Sequence, residues 1–205
     1  MAVIHQTTVT PSKLELLTGW LPGRQWYRGG TPTLSKAGGF RLDDPAGAVG
    51  IEFMLVVDDS AAERVLYEVP LTYRGAPMSG GEAALVGTAE HGVLGRRWIY
   101  DATADEVAVR AVVDFLSGKA VAQAQNHSDT ADPSVLVARA EPTSFGDEFG
   151  VAVDGDTYTD VPIGPTVVRF HRSPAASPSG AAGSVAAPSA LGPEVELITV
   201  LTGHA

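Results

Sequence analysis

Cysteine is absent from all 205 residues, which removes disulfides, thiolate metal sites and thiol nucleophiles together. Cations are scarce. Fourteen Lys and Arg against 24 Asp and Glu leave a net charge of −10 and a pI near 4.8, without the basic stripe that phosphate binding needs, so nucleic acid is not an expected partner. No window approaches the ~18 consecutive apolar residues of a membrane span. Met1 to Thr7 also lacks the basic and apolar regions of a secretory signal, so the expectation is a cytoplasmic, soluble protein with no membrane partner. Walker lysine, dinucleotide glycine fingerprint, nucleophile elbow and His-Glu-x-x-His helix are all missing. The histidines His5, His91, His127, His171 and His204 are scattered without metal-ligand spacing, so no metal, cofactor or catalytic residue is expected.

What is present is a 44% hydrophobic chain, ample for a folded core. It is organised around Trp20-Leu21-Pro22-Gly23-Arg24-Gln25-Trp26-Tyr27-Arg28-Gly29-Gly30, which holds two of the three tryptophans. Such a stretch reads either as a packed corner with arginines stacked on rings or as a recognition corner where aromatics and arginine concentrate binding energy. Ahead of it, Thr10-Pro11 reads as N-cap and first-turn proline of a short helix over 11–19, and residues 1–9 as an edge strand. Glycine and proline punctuation makes 28–39 a loop with at most a short strand.

Farther on the period becomes two. Val49, Ile51, Phe53, Leu55 and Val57 alternate with Glu52 and Asp58, predicting a half-buried antiparallel strand, and Val65 to Tyr73 repeats the alternation to complete a hairpin. Pro70 lacks a backbone donor, which demands a local edge or a bulge. Two short strands are expected over 84–88 and 93–100. A helix follows, opened by a Thr103 to Glu106 capping box, with Ala108, Val112, Phe115 and Leu116 on one face and Gly118 at its end. Residues 120–133 read as a linker, and strands are expected at 135–139, 149–153 and 166–170, with a turn at Asp154-Gly155. Of the twenty residues 174–193, eighteen are Ala, Ser, Pro or Gly, which predicts a disordered loop before a last strand at 195–200.

Three polar groupings stand out. Asp154, Asp156 and Asp160 lack the glycine and terminal glutamate of a calcium loop and read as solvated turn carboxylates. His91, Arg96, Arg97 and Asp101 read either as a polar cluster at one sheet end or as solvated charges, and Glu141 with Asp147 is a second open possibility.

The Trp20 to Gly29 segment resembles the Trp-Leu-Pro-x-Arg-x-Trp-Tyr-x-Gly segment of actinobacterial maltokinases and related sugar kinases, where it belongs to the N-terminal cap. Glu68-Val69-Pro70-Leu71 and Ile99-Tyr100-Asp101-Ala102 are similar to later cap elements. Val167 to Arg172 faintly resembles the strand that carries the nucleotide-binding lysine of the kinase N-lobe, but its alignments place Val168 or Arg169 there. The family's His-Gly-Asp catalytic loop and metal-binding aspartate have no counterpart in these 205 residues. The resemblance implies an α+β fold, with a cystatin-like cap of curved antiparallel sheet and packing helix over 1–118. A strand-rich unit over 119–205 would resemble a degenerate kinase N-lobe.

It further implies a non-catalytic accessory protein of α-glucan, maltose or trehalose metabolism that binds a partner enzyme or a sugar. The alternatives are a subunit of a split sugar phosphotransferase, a small-molecule enzyme using the groove between the two units, or a homo-oligomer formed through a sheet edge. Within a cap, the Trp-Tyr corner most economically anchors the helix to the sheet. Arg24, Trp26, Tyr27, His91 and Arg97 are the candidate binding residues.

Overall fold

The computed structural model describes residues 9–127, 129–140, 145–174 and 182–202. Along the chain lie β1 (Val9–Thr10), α1 (Lys13–Trp20), β2 (Leu34–Asp43), β3 (Val49–Asp58), β4 (Val65–Arg74), β5 (Leu85–His91) and β6 (Gly95–Asp101). Then come α2 (Glu106–Leu116), β7 (Gln123–Ala124), β8 (Leu136–Ala138), β9 (Val153–Asp154), β10 (Tyr158–Ile163), β11 (Thr166–His171), β12 (Ser184–Ser189) and β13 (Gly192–Thr202). This is the expected α+β, sheet-rich class. The strands join one antiparallel sheet in the order β1-β5-β6-β4-β3-β2-β12-β13-β11-β10-β9, with β7 on β2 and β8 on β12. Both β7 and β12, which follow residue 118, thus pair with β2.

The hairpin is where alternation placed it, with β3 and β4 in register from Val49↔Arg74 to Asp58↔Val65. The expectation of one wet face is wrong, because β3 is buried almost throughout. Its odd residues Val49, Ile51, Phe53, Leu55 and Val57 face a core shared with α2, Phe40 and the later strands. Met54 and Val56 face a second core made by α1 and the tryptophans. Covering both faces forces the interleaved Glu52 and Asp58 to find partners, since a buried unpaired carboxylate is costly. Glu52 accepts from Lys13 and Tyr73 at 2.6 Å each and from Gln125 at 3.0 Å. Burial would raise its pKa, but Lys13 and these bonds outweigh that and hold it below the ordinary range.

Pro70 sits at a local edge. Pairing of β4 with β6 begins only at Leu71, and on the vacated side the Glu68 amide donates to the Arg172 carbonyl at 3.0 Å. The chain end of β11 is thereby brought against the hairpin.

Several expected boundaries move. Ser12, not Thr10, caps α1 through a capping box with Glu15, and Asp105, not Thr103, caps α2, because residues 102–104 form a separate 3-10 turn. The buried face of α2 and Gly118 at φ +75° agree with expectation. The loop foreseen over 28–39 gives way to the ten-residue β2 from Leu34. The strand bulges at Ala37, where the register slips between Lys36 and Gly38; Gly38 and Gly39 follow it with φ of +138° and +126°, and a Cβ at Gly39 would fall 2.1 Å from the Phe53 carbonyl oxygen. The linker 120–133 contributes β7, and the strand expected over 149–153 is confined to Val153–Asp154 plus a single bridge from Phe149 to Ile163.

Low complexity misled at 184–189. These residues form β12, in which Ser184, Val185, Ala186 and Ala187 are buried. Small side chains suffice there because β8 and β13 pair along the strand's two edges and Val185 and Ala187 join the main core. Residues 1–8 of the expected first strand and 175–181 of the expected loop lie outside the described residues.

Candidate functional site

The aromatic corner is assembled from the C-terminal end of α1 and the turn that follows. Trp26 is fully buried and meets Trp20 edge-on at 5.8 Å, while Tyr67 of β4 lies 6.0 Å from Trp26 and 5.3 Å from Tyr27. The Tyr27 hydroxyl donates to Asp58 at 2.6 Å, a contact that a side chain at Gly29 would obstruct, since its Cβ would lie 2.1 Å from Tyr27 Oη. Burial first, and then the Asp58 carboxylate, push the Tyr27 pKa up to about 12. Burial alone would raise Asp58 too, but bonds from Tyr27, Thr33 and Ser60 prevail and lower it. Two cations stack on the indoles: Arg24 over Trp20 at 4.7 Å and Arg172 over Trp26 at 4.8 Å.

Arg172 is the link between the corner and the later strands. It is wholly buried and donates to Asp101 at 2.5 Å, to Thr103 at 3.1 Å and to Thr159 at 2.7 Å. Nearby Glu68 is also wholly buried, and neither of its carboxyl oxygens has a hydrogen-bond partner among the described residues. Burial pushes its pKa well above the ordinary value, against the pull of the Arg172 charge.

Asp101 and Thr103, both buried, line a cleft of about 570 Å³. Its lining draws on Arg24, Gly80, Gly81, Glu106 and Val109 from the first part of the chain and on Phe149, Val151, Asp154 and Val161 from the later part. The cleft therefore lies between the hairpin half of the chain and the β9–β10 turn. Its volume falls in the range of small-molecule sites, ~300–1,000 Å³. Asp154 accepts from Thr159 at 2.6 Å through Oδ1, and Glu106 meets Arg110 through Oε1, so each has a second oxygen without a partner among the described residues. No group of His, Asp and Glu suited to a metal ion occurs among the described residues.

Of the five candidate binding residues, Arg24 alone lines this cleft. Trp26 and Tyr27 are packed in the corner behind it. His91 and Arg97 lie on the β5–β6 hairpin, where His91 Nδ1 accepts from the Val93 and Leu94 amides and Arg97 donates to the Leu94 carbonyl at 2.7 Å. The grouping of His91, Arg96, Arg97 and Asp101 is split, because Asp101 ends β6 and is buried against Arg172. The three turn aspartates also diverge: Asp160 is held by Arg169 through two bonds of 2.8 Å, and Asp156 meets Arg28 at 3.1 Å. Glu141 lies outside the described residues. Asp154, Glu106 and Phe149 were not legible as one site, since only folding brings residues some 50 positions apart to one cleft. No local signal marked Arg172 as buried.

Residues 20–105 match the family model of the maltokinase N-terminal cap domain, under half of the chain, and this supports the resemblance first carried by the Trp20 segment. The match falls on the cap domain and not on a kinase catalytic domain. No curated protein matches the chain. No helix among the described residues is long and apolar enough to cross a membrane.

Proposed function

We propose that the chain is a non-catalytic, maltokinase-cap-like accessory protein that acts by binding, on a partner enzyme or a sugar of α-glucan, maltose or trehalose metabolism. The tie to that metabolism comes from the matched cap domain. The observation that carries the non-catalytic reading is on β11. In this reading residues 119–205 are a degenerate N-lobe, and its nucleotide lysine would fall at Val168 or Arg169. Val168 is wholly buried in the core, and the Arg169 guanidinium is engaged by both Asp160 oxygens and stacked 3.6 Å over Tyr158. Neither position offers a cation to a nucleotide phosphate, and phosphoryl transfer depends on such positioning.

The test is incubation of the purified chain with Mg-ATP and maltose or glucosamine, followed by phosphosugar and free-phosphate assays. No turnover above buffer is expected. Sustained turnover, alone or with a co-purifying kinase catalytic lobe, would replace this reading with the split-phosphotransferase one.

A further inference from the structure

We propose that the outer face of the β5–β6 hairpin is an isologous interface through which two copies of this chain pair. The pairing goes beyond the accessory reading and does not depend on it. It starts from Trp98, the one tryptophan outside the aromatic corner. Thr88 pairs across the strands with Trp98, and Glu90 with Arg96, so these four side chains share one face of the hairpin. The opposite face supplies Ala89 and Ile99 to the core beneath α1. Trp98 stands opposite Arg74, and Arg74 opposite Val49, which puts Trp98 on the α2 side of the sheet. Yet the core beneath α2 includes no residue of β5 or β6. Trp98 thus belongs to neither core and is only partly buried, while Glu90 and Arg96 are exposed. At the hairpin tip Val93 and Leu94 are 61% and 46% exposed. Tryptophan, arginine and an apolar tip on one uncovered face is the composition of an interface.

Charge selects the occupant. Arg96 is drawn over the Trp98 ring at 5.6 Å, and its Nη2 reaches Thr88 Oγ1 at 3.4 Å. It therefore makes no ion pair with Glu90, although the two stand directly opposite each other. Arg74, the neighbouring cation on this side, is already neutralised by two bonds of 2.7 Å to Asp105. The face is left with one available charge of each sign, in a chain of net charge −10. A strongly acidic or strongly basic partner would set one of the two against a like charge. A second copy avoids this. A two-fold axis parallel to the strands, running between β5 and β6, lays each strand over the opposite strand of the other copy. Glu90 then meets the second copy's Arg96 twice, Thr88 covers the second copy's Trp98, and the two apolar tips meet at the axis. Two chains that repel each other elsewhere can approach here because this face carries no net charge.

The experiment is sedimentation velocity of the full chain over a broad range of concentration, with circular dichroism and a melting curve establishing that each variant is folded. A concentration-dependent dimer is expected. Glu90→Arg or Arg96→Glu alone sets like charges face to face at both symmetry-related contacts and should raise the dimer Kd roughly tenfold or more. The double substitution restores opposite charges across the axis and should return Kd to within about threefold of the parent. Because the chain has no cysteine, Val93→Cys supplies a single thiol at the tip. Under oxidised glutathione it should cross-link two copies, whereas Val153→Cys, 59% exposed on β9 at the far end of the strand order, should not. A monomer at every concentration overturns the inference. So does a dimer indifferent to both single reversals, or one that cross-links through Val153→Cys and not through Val93→Cys, since either places the contact elsewhere. Reversals that dissociate the dimer without rescue by the double substitution overturn the pairing of Glu90 with Arg96 across the axis. The turnover assay above is read separately, so either reading can fail while the other stands.

Discussion

Arg172 offers the sharpest test of how the two halves of the chain are held together. Its guanidinium is fully buried, pairs with Asp101, a residue only 7% exposed, bonds two threonine hydroxyls and covers Trp26. Replacing it with methionine keeps most of the volume but leaves Asp101 buried without its cation. Breaking one side of such a pair costs about 3–5 kcal/mol, because the surviving charge is stranded. Asp101→Asn alone strands the opposite charge and should cost a comparable amount.

The double substitution removes both charges. If the pair is what matters, the double variant is destabilised by clearly less than the two single effects combined, with a coupling energy of ~1.5–3 kcal/mol, as for residues in one network. Urea denaturation followed by tryptophan fluorescence reads all four proteins. High salt should change little, since a buried pair is poorly screened. An Arg172→Met variant within 1 kcal/mol of the parent, or strict additivity in the cycle, would refute the role of the Arg172–Asp101 pair in holding the corner to the later strands.

Trp26→Ala removes the largest fully buried side chain of the corner and should lower stability by roughly 3–5 kcal/mol; unchanged stability with lost partner binding would make the ring a recognition element instead. Glu68 gives a pH signature. Its folded pKa lies well above the ordinary value, so the folded state holds a proton that the unfolded chain has released, and its contribution to stability is present at low pH and is lost as pH rises from the ordinary glutamate range toward the folded value. Glu68→Gln should remove that decline, so the stability difference between variant and parent grows with pH by at most ~1.4 kcal/mol per unit. A difference flat between pH 4 and pH 8 in denaturant titrations would contradict the neutral-acid assignment.

The sequence by itself determined the local periods and the family mark. Alternation at Val49 to Val57 and Val65 to Tyr73 specified the hairpin, because side chains on a strand repeat every two residues whatever the rest of the chain does. The Trp20 to Gly29 motif pointed to the cap that residues 20–105 then matched. Burial on the second face of β3, the strand at Ser184–Ser189 and the meeting of Arg172 with Asp101 were decided only by tertiary structure. In each case the deciding surface comes from residues distant in sequence. Glu52 and Asp58 look solvent-bound until α1 and the tryptophan corner cover them. Alanine and serine look too small to order until β8 and β13 flank them. The cleft follows the same rule: Arg24, Glu106 and Asp154 share no local pattern, and only the packing of the β9–β10 turn against the start of α2 makes them one lining.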